Sequence, residues 1–108
     1  MNMIRAIVQD DDSIDLVENL TEKKFGVTKL ATTGGFLKSG NTTLMIGVND
    51  DEVDNAIEII KKICEKRKEV VISTPVSGNS QMYMQYPIQV EVGGATVFVL
   101  DVDKFIRI

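Results

Sequence analysis

Val53, Ala56, Ile57, Ile60, Ile63 and Cys64 fall at i, i+3, i+4, i+7, i+10 and i+11, a one-sided apolar stripe that an α-helix buries as a unit. Any fold open to this chain must give that stripe an apolar surface to lie on. The flanking sequence supplies one. Ile4 to Val8, Val27 to Thr32, Thr42 to Val48, Val70 to Ile72, Ile88 to Val92 and Ala95 to Val99 are short runs rich in β-branched residues, as half-buried strands are.

A second helix follows the first strand. Asp10-Asp11-Asp12-Ser13 offers an N-cap and places carboxylates at the positive end of the helix dipole, and Ile14, Val17 and Leu20 recur at helical spacing. This helix is expected to run to about Lys24, with Lys23 and Lys24 in its last turn and Gly26 as its left-handed stop. Asn49-Asp50-Asp51-Glu52 is expected to cap the later helix, whose end carries Lys61, Lys62, Lys66, Arg67 and Lys68 against its negative pole. Thr33 to Asn41 is a glycine-rich connection between the second and third strands, which makes them a hairpin. Ser73 to Gln85 is a long, turn-rich loop after the second helix, and Gly93-Gly94 reads as a tight turn joining the last two strands. The order βαββαβ with an extra C-terminal strand is that of a ferredoxin-like α+β sandwich, with both helices on one face of an antiparallel sheet. The 108 residues suit a single domain, 1–108. Its open strand edges and the sheet face away from the helices predict a homo-oligomer.

Composition removes several chemistries. The chain has no His and one Cys, which excludes an internal disulfide, a Cys/His zinc site, a Ser/His triad and a Cys/His nucleophile pair. A net charge of −4 argues against non-specific duplex binding, so no nucleic-acid partner is expected. No apolar run approaches the roughly 20 residues of a membrane span, and the first residues carry no cleavage site, so a cytoplasmic protein without membrane insertion is expected.

Gly35 to Thr42 comes within one residue of the phosphate-loop pattern, with Asn41 standing where that pattern needs a lysine. The ammonium that would meet a triphosphate is missing, and a strand follows instead of a helix, so a nucleoside triphosphatase is disfavoured. Two readings stay open: a bland hairpin loop, or an anion loop whose free N–H groups and Asn41 amide hold a phosphate diester. Phe36, presented between glycines, either stacks on a base or anchors on a neighbouring subunit. Asp10-Asp11-Asp12 reads as helix capping and not as a metal loop, since the alternating ligands, fixed glycine and distal glutamate of such a loop are absent. Cys64 reads as a small buried hydrophobe.

Ala6 to Asp10, Thr28 to Leu37, Gly40 to Thr43, Tyr86-Pro87, Val90 to Leu100 and Val102-Asp103, taken together, closely resemble the cyclic-di-AMP receptor family of PII-like signal-transduction proteins, and the match spans nearly the whole chain. The resemblance implies a homotrimer with three cyclic-di-AMP sites in clefts between subunits, no catalytic activity, no cofactor, and signalling to an unidentified downstream protein. It places the ligand at Thr28, Gly35, Phe36, Leu37, Asn41 and Gly47, with Phe98 as a further adenine contact. Backbone N–H groups of Phe36 and Leu37 and the Asn41 side chain would meet phosphate, while Thr28 and the Gly47 backbone would face an adenine edge. Other readings are a PII-like sensor of ADP or ATP, a small trimeric enzyme, and a structural trimer without a nucleotide.

The family commonly carries an arginine where this chain has Gly26 in Phe25-Gly26-Val27-Thr28, and the long loop is one residue shorter than usual. If Gly26 is a left-handed helix stop, Gly26→Arg lowers the melting temperature while it tightens binding by at most about thirtyfold. Arg107 either replaces part of the lost charge or is simply solvated.

Overall fold

The computed structural model describes residues 1–30, 40–73 and 86–108. Four strands form one antiparallel sheet in the order β2-β3-β1-β6: β1 is Asn2–Gln9, β2 Gly26–Leu30, β3 Asn41–Val48 and β6 Ala95–Asp101. Helix α1 is Asp10–Glu22 and α2 is Val53–Cys64, the latter preceded by a 3-10 turn at Asp50–Glu52. Strands β4 (Arg67–Ser73) and β5 (Tyr86–Val92) pair with each other in a separate two-stranded sheet.

The core is set by strand alternation. Ile4, Ala6 and Val8 of β1 and Leu44, Ile46 and Val48 of β3 are buried in one cluster with Leu16 and Leu20 of α1 and Ala56, Ile60 and Cys64 of α2. Each large side chain so buried contributes about 1.5–3 kcal/mol. Both helices therefore lie on one face of the sheet, the arrangement of a ferredoxin-like fold. The alternate residues Met3, Arg5 and Ile7, in register with Leu100, Phe98 and Thr96, belong to the opposite face. There Phe98 is 49% and Leu100 43% exposed, and among the described residues neither helix covers them.

Several expectations are corrected. The buried face of α1 is Asp12, Ser13, Leu16 and Leu20, whereas Ile14 is 70% exposed; Leu16, not Ile14, sets the helical phase. Among the described residues, no N-cap side chain caps α1, α2 or the turn before α2. Gln9 occupies the N-cap of α1, and the aspartates form its first turn. Helix α1 ends at Glu22, so Lys23 and Lys24 follow the last turn. The left-handed residue is Lys24 at φ 66°, and Gly26 opens β2.

Physical reason lies in Phe25. Its N–H donates to the Leu20 carbonyl (3.0 Å), that of Lys24 donates to Thr21 (2.9 Å), and the ring packs on the core. This is the Schellman pattern, and the residue before the returning apolar side chain must take the left-handed conformation.

Gly93-Gly94 also departs from expectation. It is no hairpin turn, because β5 runs against β4 from Arg67↔Val92 to Ser73↔Tyr86 while β6 runs against β1. Both glycines have positive φ (88° and 95°) and switch the chain from the two-stranded ribbon into the main sheet. A Cβ on Gly93 would clash with the Glu65 carbonyl oxygen, so only glycine fits. Strand β4 is also longer than Val70 to Ile72, and Lys66, Arg67 and Lys68 lie beyond α2, at and just before the start of the ribbon. The described residues extend 64 × 29 × 20 Å with a radius of gyration of 18.3 Å, against about 13 Å for a compact chain of this length.

The hairpin pairing of β2 with β3 is present, from Gly26↔Gly47 to Leu30↔Thr43. Gly35, Phe36 and Leu37 of its connection, and all but Ser73 of the Ser73–Gln85 loop, lie outside the described residues.

Opposite signs are expected for two substitutions in urea denaturation. Lys24→Gly should stabilise the protein by about 0.5–1 kcal/mol by relieving the left-handed backbone, and Gly93→Ala should destabilise it by about 2 kcal/mol or more.

Candidate functional site: a groove over the β2–β3 edge

At one end of the sheet, β2 and β3 present two facing glycines, Gly26 and Gly47, and next to them Thr28 faces Met45. A groove of about 490 Å³ opens over this strip, and the chain after β6 closes its side with Val102, Phe105 and Arg107. The Val102 N–H donates to the Met1 carbonyl (3.1 Å), which holds that segment against the start of β1.

Bare backbone makes the floor. A Cβ on Gly26 would meet nothing within 4 Å, and one on Gly47 would meet only the Met1 methyl at 3.5 Å. A flat ring can therefore approach the strands closely, with the Thr28 hydroxyl as donor and acceptor and the polarisable Met45 beside it. The volume lies in the range of small-molecule sites. Arg107 supplies a guanidinium at the rim, suited to an anion or to stacking on an aromatic ring.

Of the residues the sequence singles out, the structure brings Thr28 and Gly47 into this groove. Asn41 stands at the first position of β3, four residues from Met45, hence about 13 Å along the strand. Phe98 is reached from Thr28 through Met45 and Arg5, three strand spacings or about 14 Å across the same face. Gly35, Phe36 and Leu37 are outside the described residues. Within one chain, then, Phe98 and Thr28 are too far apart to hold the same ring.

Phe105, Met45 and Gly26 lie outside the set the resemblance places at the ligand, and Arg107 enters there only as a replacement for lost charge or a solvated residue. Gly26 and Gly47 give a usable signal in retrospect, since glycine inside a strand often marks a close approach. Nothing in the sequence shows that the C-terminal segment turns back onto β2 and β3.

A smaller groove of about 350 Å³ lies between α2 and β6, lined by apolar Ile57, Ile60, Ala95 and Val97 together with Cys64. Burial, and then the nearby Asp12 charge, push the Cys64 thiol up to about 11, with Arg67 acting in the opposite sense. The thiol is therefore protonated at neutral pH and a poor nucleophile. Among the described residues no three of His, Cys, Asp or Glu gather into a metal cluster, and no helix is long and apolar enough to cross a membrane.

Comparison with known proteins agrees with this architecture. A crystal structure of a functionally unknown protein from Pediococcus pentosaceus is 45% identical, with a TM-score of 0.79 over 99% of this chain and 96% of that one. A "Nitrogen fixation nifHD region GlnB-like protein 1" from Methanothermococcus thermolithotrophicus is 39% identical over 74 residues, 56% of this chain and 70% of that protein. Fold and relatives define a PII-like protein. The family described as "Cyclic-di-AMP receptor" matches residues 1–108, and the chain belongs to it.

The position of Gly26 reverses the stability expectation. Its φ is not positive and its surroundings are open, so Gly26→Arg relieves a flexible strand residue instead of straining a helix stop. Thermal melts should give an unchanged or slightly higher melting temperature. A clear fall would mean that the strand start is strained after all.

Proposed function

We propose that this protein is a non-enzymatic receptor that binds cyclic-di-AMP at the subunit interfaces of a cytoplasmic homotrimer and passes the signal to a downstream protein. Family membership carries the ligand class. The observation that carries the location is the glycine-floored groove at Gly26, Gly47 and Thr28, which suits a purine laid against backbone.

In this reading one adenine lies over Gly47 with its edge toward Thr28. The Asn41 amide and the N–H groups of Phe36 and Leu37, beside Gly35, meet phosphate, and Arg107 stands where a guanidinium can balance ligand charge. Phe98 is supplied by a neighbouring subunit, which is why it lies about 14 Å from Thr28 in its own chain. The uncovered sheet face, with Phe98 and Leu100 exposed, supports a trimer that buries these faces together. Ligand binding then alters the loops after β2 and after β4, and with them the surface offered to the partner.

Calorimetry against cyclic-di-AMP, cyclic-di-GMP, ATP and ADP tests the reading, alongside sedimentation of the free protein. A trimer with preferential binding of cyclic-di-AMP is expected. Asn41→Ala should weaken that binding by about 1–3 kcal/mol, roughly 5- to 150-fold, without loss of fold. Tighter binding of ATP or ADP would make the protein a sensor of those nucleotides, and binding of none would leave a structural trimer.

A further inference from the structure

Three residues of the β1–α1 junction, Gln9, Asp10 and Asp12, hold two separate parts of the molecule. On one side is the start of β3. Gln9 pairs with Asn41 in the strand register, the Asp10 N–H donates to the Gly40 carbonyl (2.7 Å), and the buried Thr42 hydroxyl donates to the Asp10 carboxylate. On the other side is the base of the ribbon. The Gly93 N–H donates to Gln9 Oε1 (2.8 Å), and Arg67 donates to both oxygens of Asp12, Nη2 to Oδ1 at 2.7 Å and Nη1 to Oδ2 at 3.4 Å.

Capping does not account for this arrangement. Gln9 occupies the N-cap of α1 yet turns its side chain to Gly93, and caps no helix N–H. The Asp12 side chain is only 7% exposed, a costly place for a carboxylate unless it is paired, and its partner Arg67 is the first residue of β4. The β4 and β5 strands pack mainly on each other, so this base fixes their pose. An isolated two-stranded ribbon is marginal in water, which leaves its stability open to bias from that base.

We propose that Gln9, Asp10 and Asp12 are positioning residues that couple the start of β3 to the base of the β4–β5 ribbon, so that a ligand held at Asn41 and the docked ribbon stabilise each other. The ligand half rests on the cyclic-di-AMP reading above; the coupling between the two elements does not. By linkage the effect is reciprocal: ligand tightens the ribbon, and a loosened ribbon weakens the hold on β3.

Amide hydrogen exchange of the full chain tests it in two arms. In the free protein, Thr42→Val removes the bond to Asp10 without changing side-chain shape. It should speed exchange of the β4 and β5 amides at least fivefold while the central β1 amides of Ile4 and Ala6, away from Thr42 in the register, keep their rates. Asp12→Asn should in turn speed exchange at Thr42 and Thr43. Arg67→Lys, which keeps the charge but loses the fork, serves if Asp12→Asn does not fold. Ribbon exchange within twofold of the unaltered protein in Thr42→Val overturns the coupling.

In the second arm, cyclic-di-AMP should slow ribbon exchange at least fivefold in the unaltered protein and less than twofold in Asp12→Asn, with calorimetry showing that this variant still binds. Equal slowing in both, or binding without any slowing, overturns the ligand half. No binding by the unaltered protein refutes the receptor reading instead, and the free-protein arm still decides the coupling.

Discussion

Strand β1 is the constraint on which the rest depends. It is paired on both edges, with β3 on one side and β6 on the other, so its alternation commits the whole sheet. Ile4, Ala6 and Val8 go to the helices and are almost wholly buried, and Met3, Arg5 and Ile7 go to the other face. A slip of one residue would bring Arg5 into the core and turn Ile4 outward. The same strand ends at Gln9, where the chain enters α1, and it begins beside the groove at Met1 to Met3. Core, groove and ribbon base thus all meet this one strand of eight residues.

Much of the fold could be read directly because burial imposes a period on the sequence. The stripe from Val53 to Cys64 belongs to a helix, and the β-branched runs belong to strands. Elsewhere local pattern and tertiary demand diverge. Ile14, Val17 and Leu20 satisfy helical spacing, but Leu16 takes the central place and leaves Ile14 in solvent. Gly26 looks like a helix stop only until Phe25 is seen to fold back onto the core. Gly93-Gly94 carries the same signal in a hairpin and in a switch between sheets, and only the pairing of β6 with β1 tells them apart. Likewise, no local rule connects Asp12 with Arg67, 55 positions away.

The candidate site is reached by a different route. Thr28 and Gly47 came from motif resemblance, and the structure gives them a physical setting: two facing glycines, a hydroxyl and an open floor. Phe105 and Arg107 join them through a C-terminal segment whose direction nothing in its sequence specifies. Phe98 and Thr28 share one face of the sheet yet lie apart, which accounts for the proposal that each cleft draws on two subunits. Arg67 shows how charge serves the fold as well as the site, since its hydrogen bonds to Asp12 hold its guanidinium even more firmly in the charged form.

A crystal structure of the protein grown with cyclic-di-AMP is the most direct test of this account. It should contain a trimer with one nucleotide per cleft, an adenine over Gly47 with its edge at Thr28, phosphate at Asn41, and Phe98 of the adjoining subunit against a base. A nucleotide bound away from the β2–β3 groove, for instance between α2 and β6, or held by a single subunit, would contradict it.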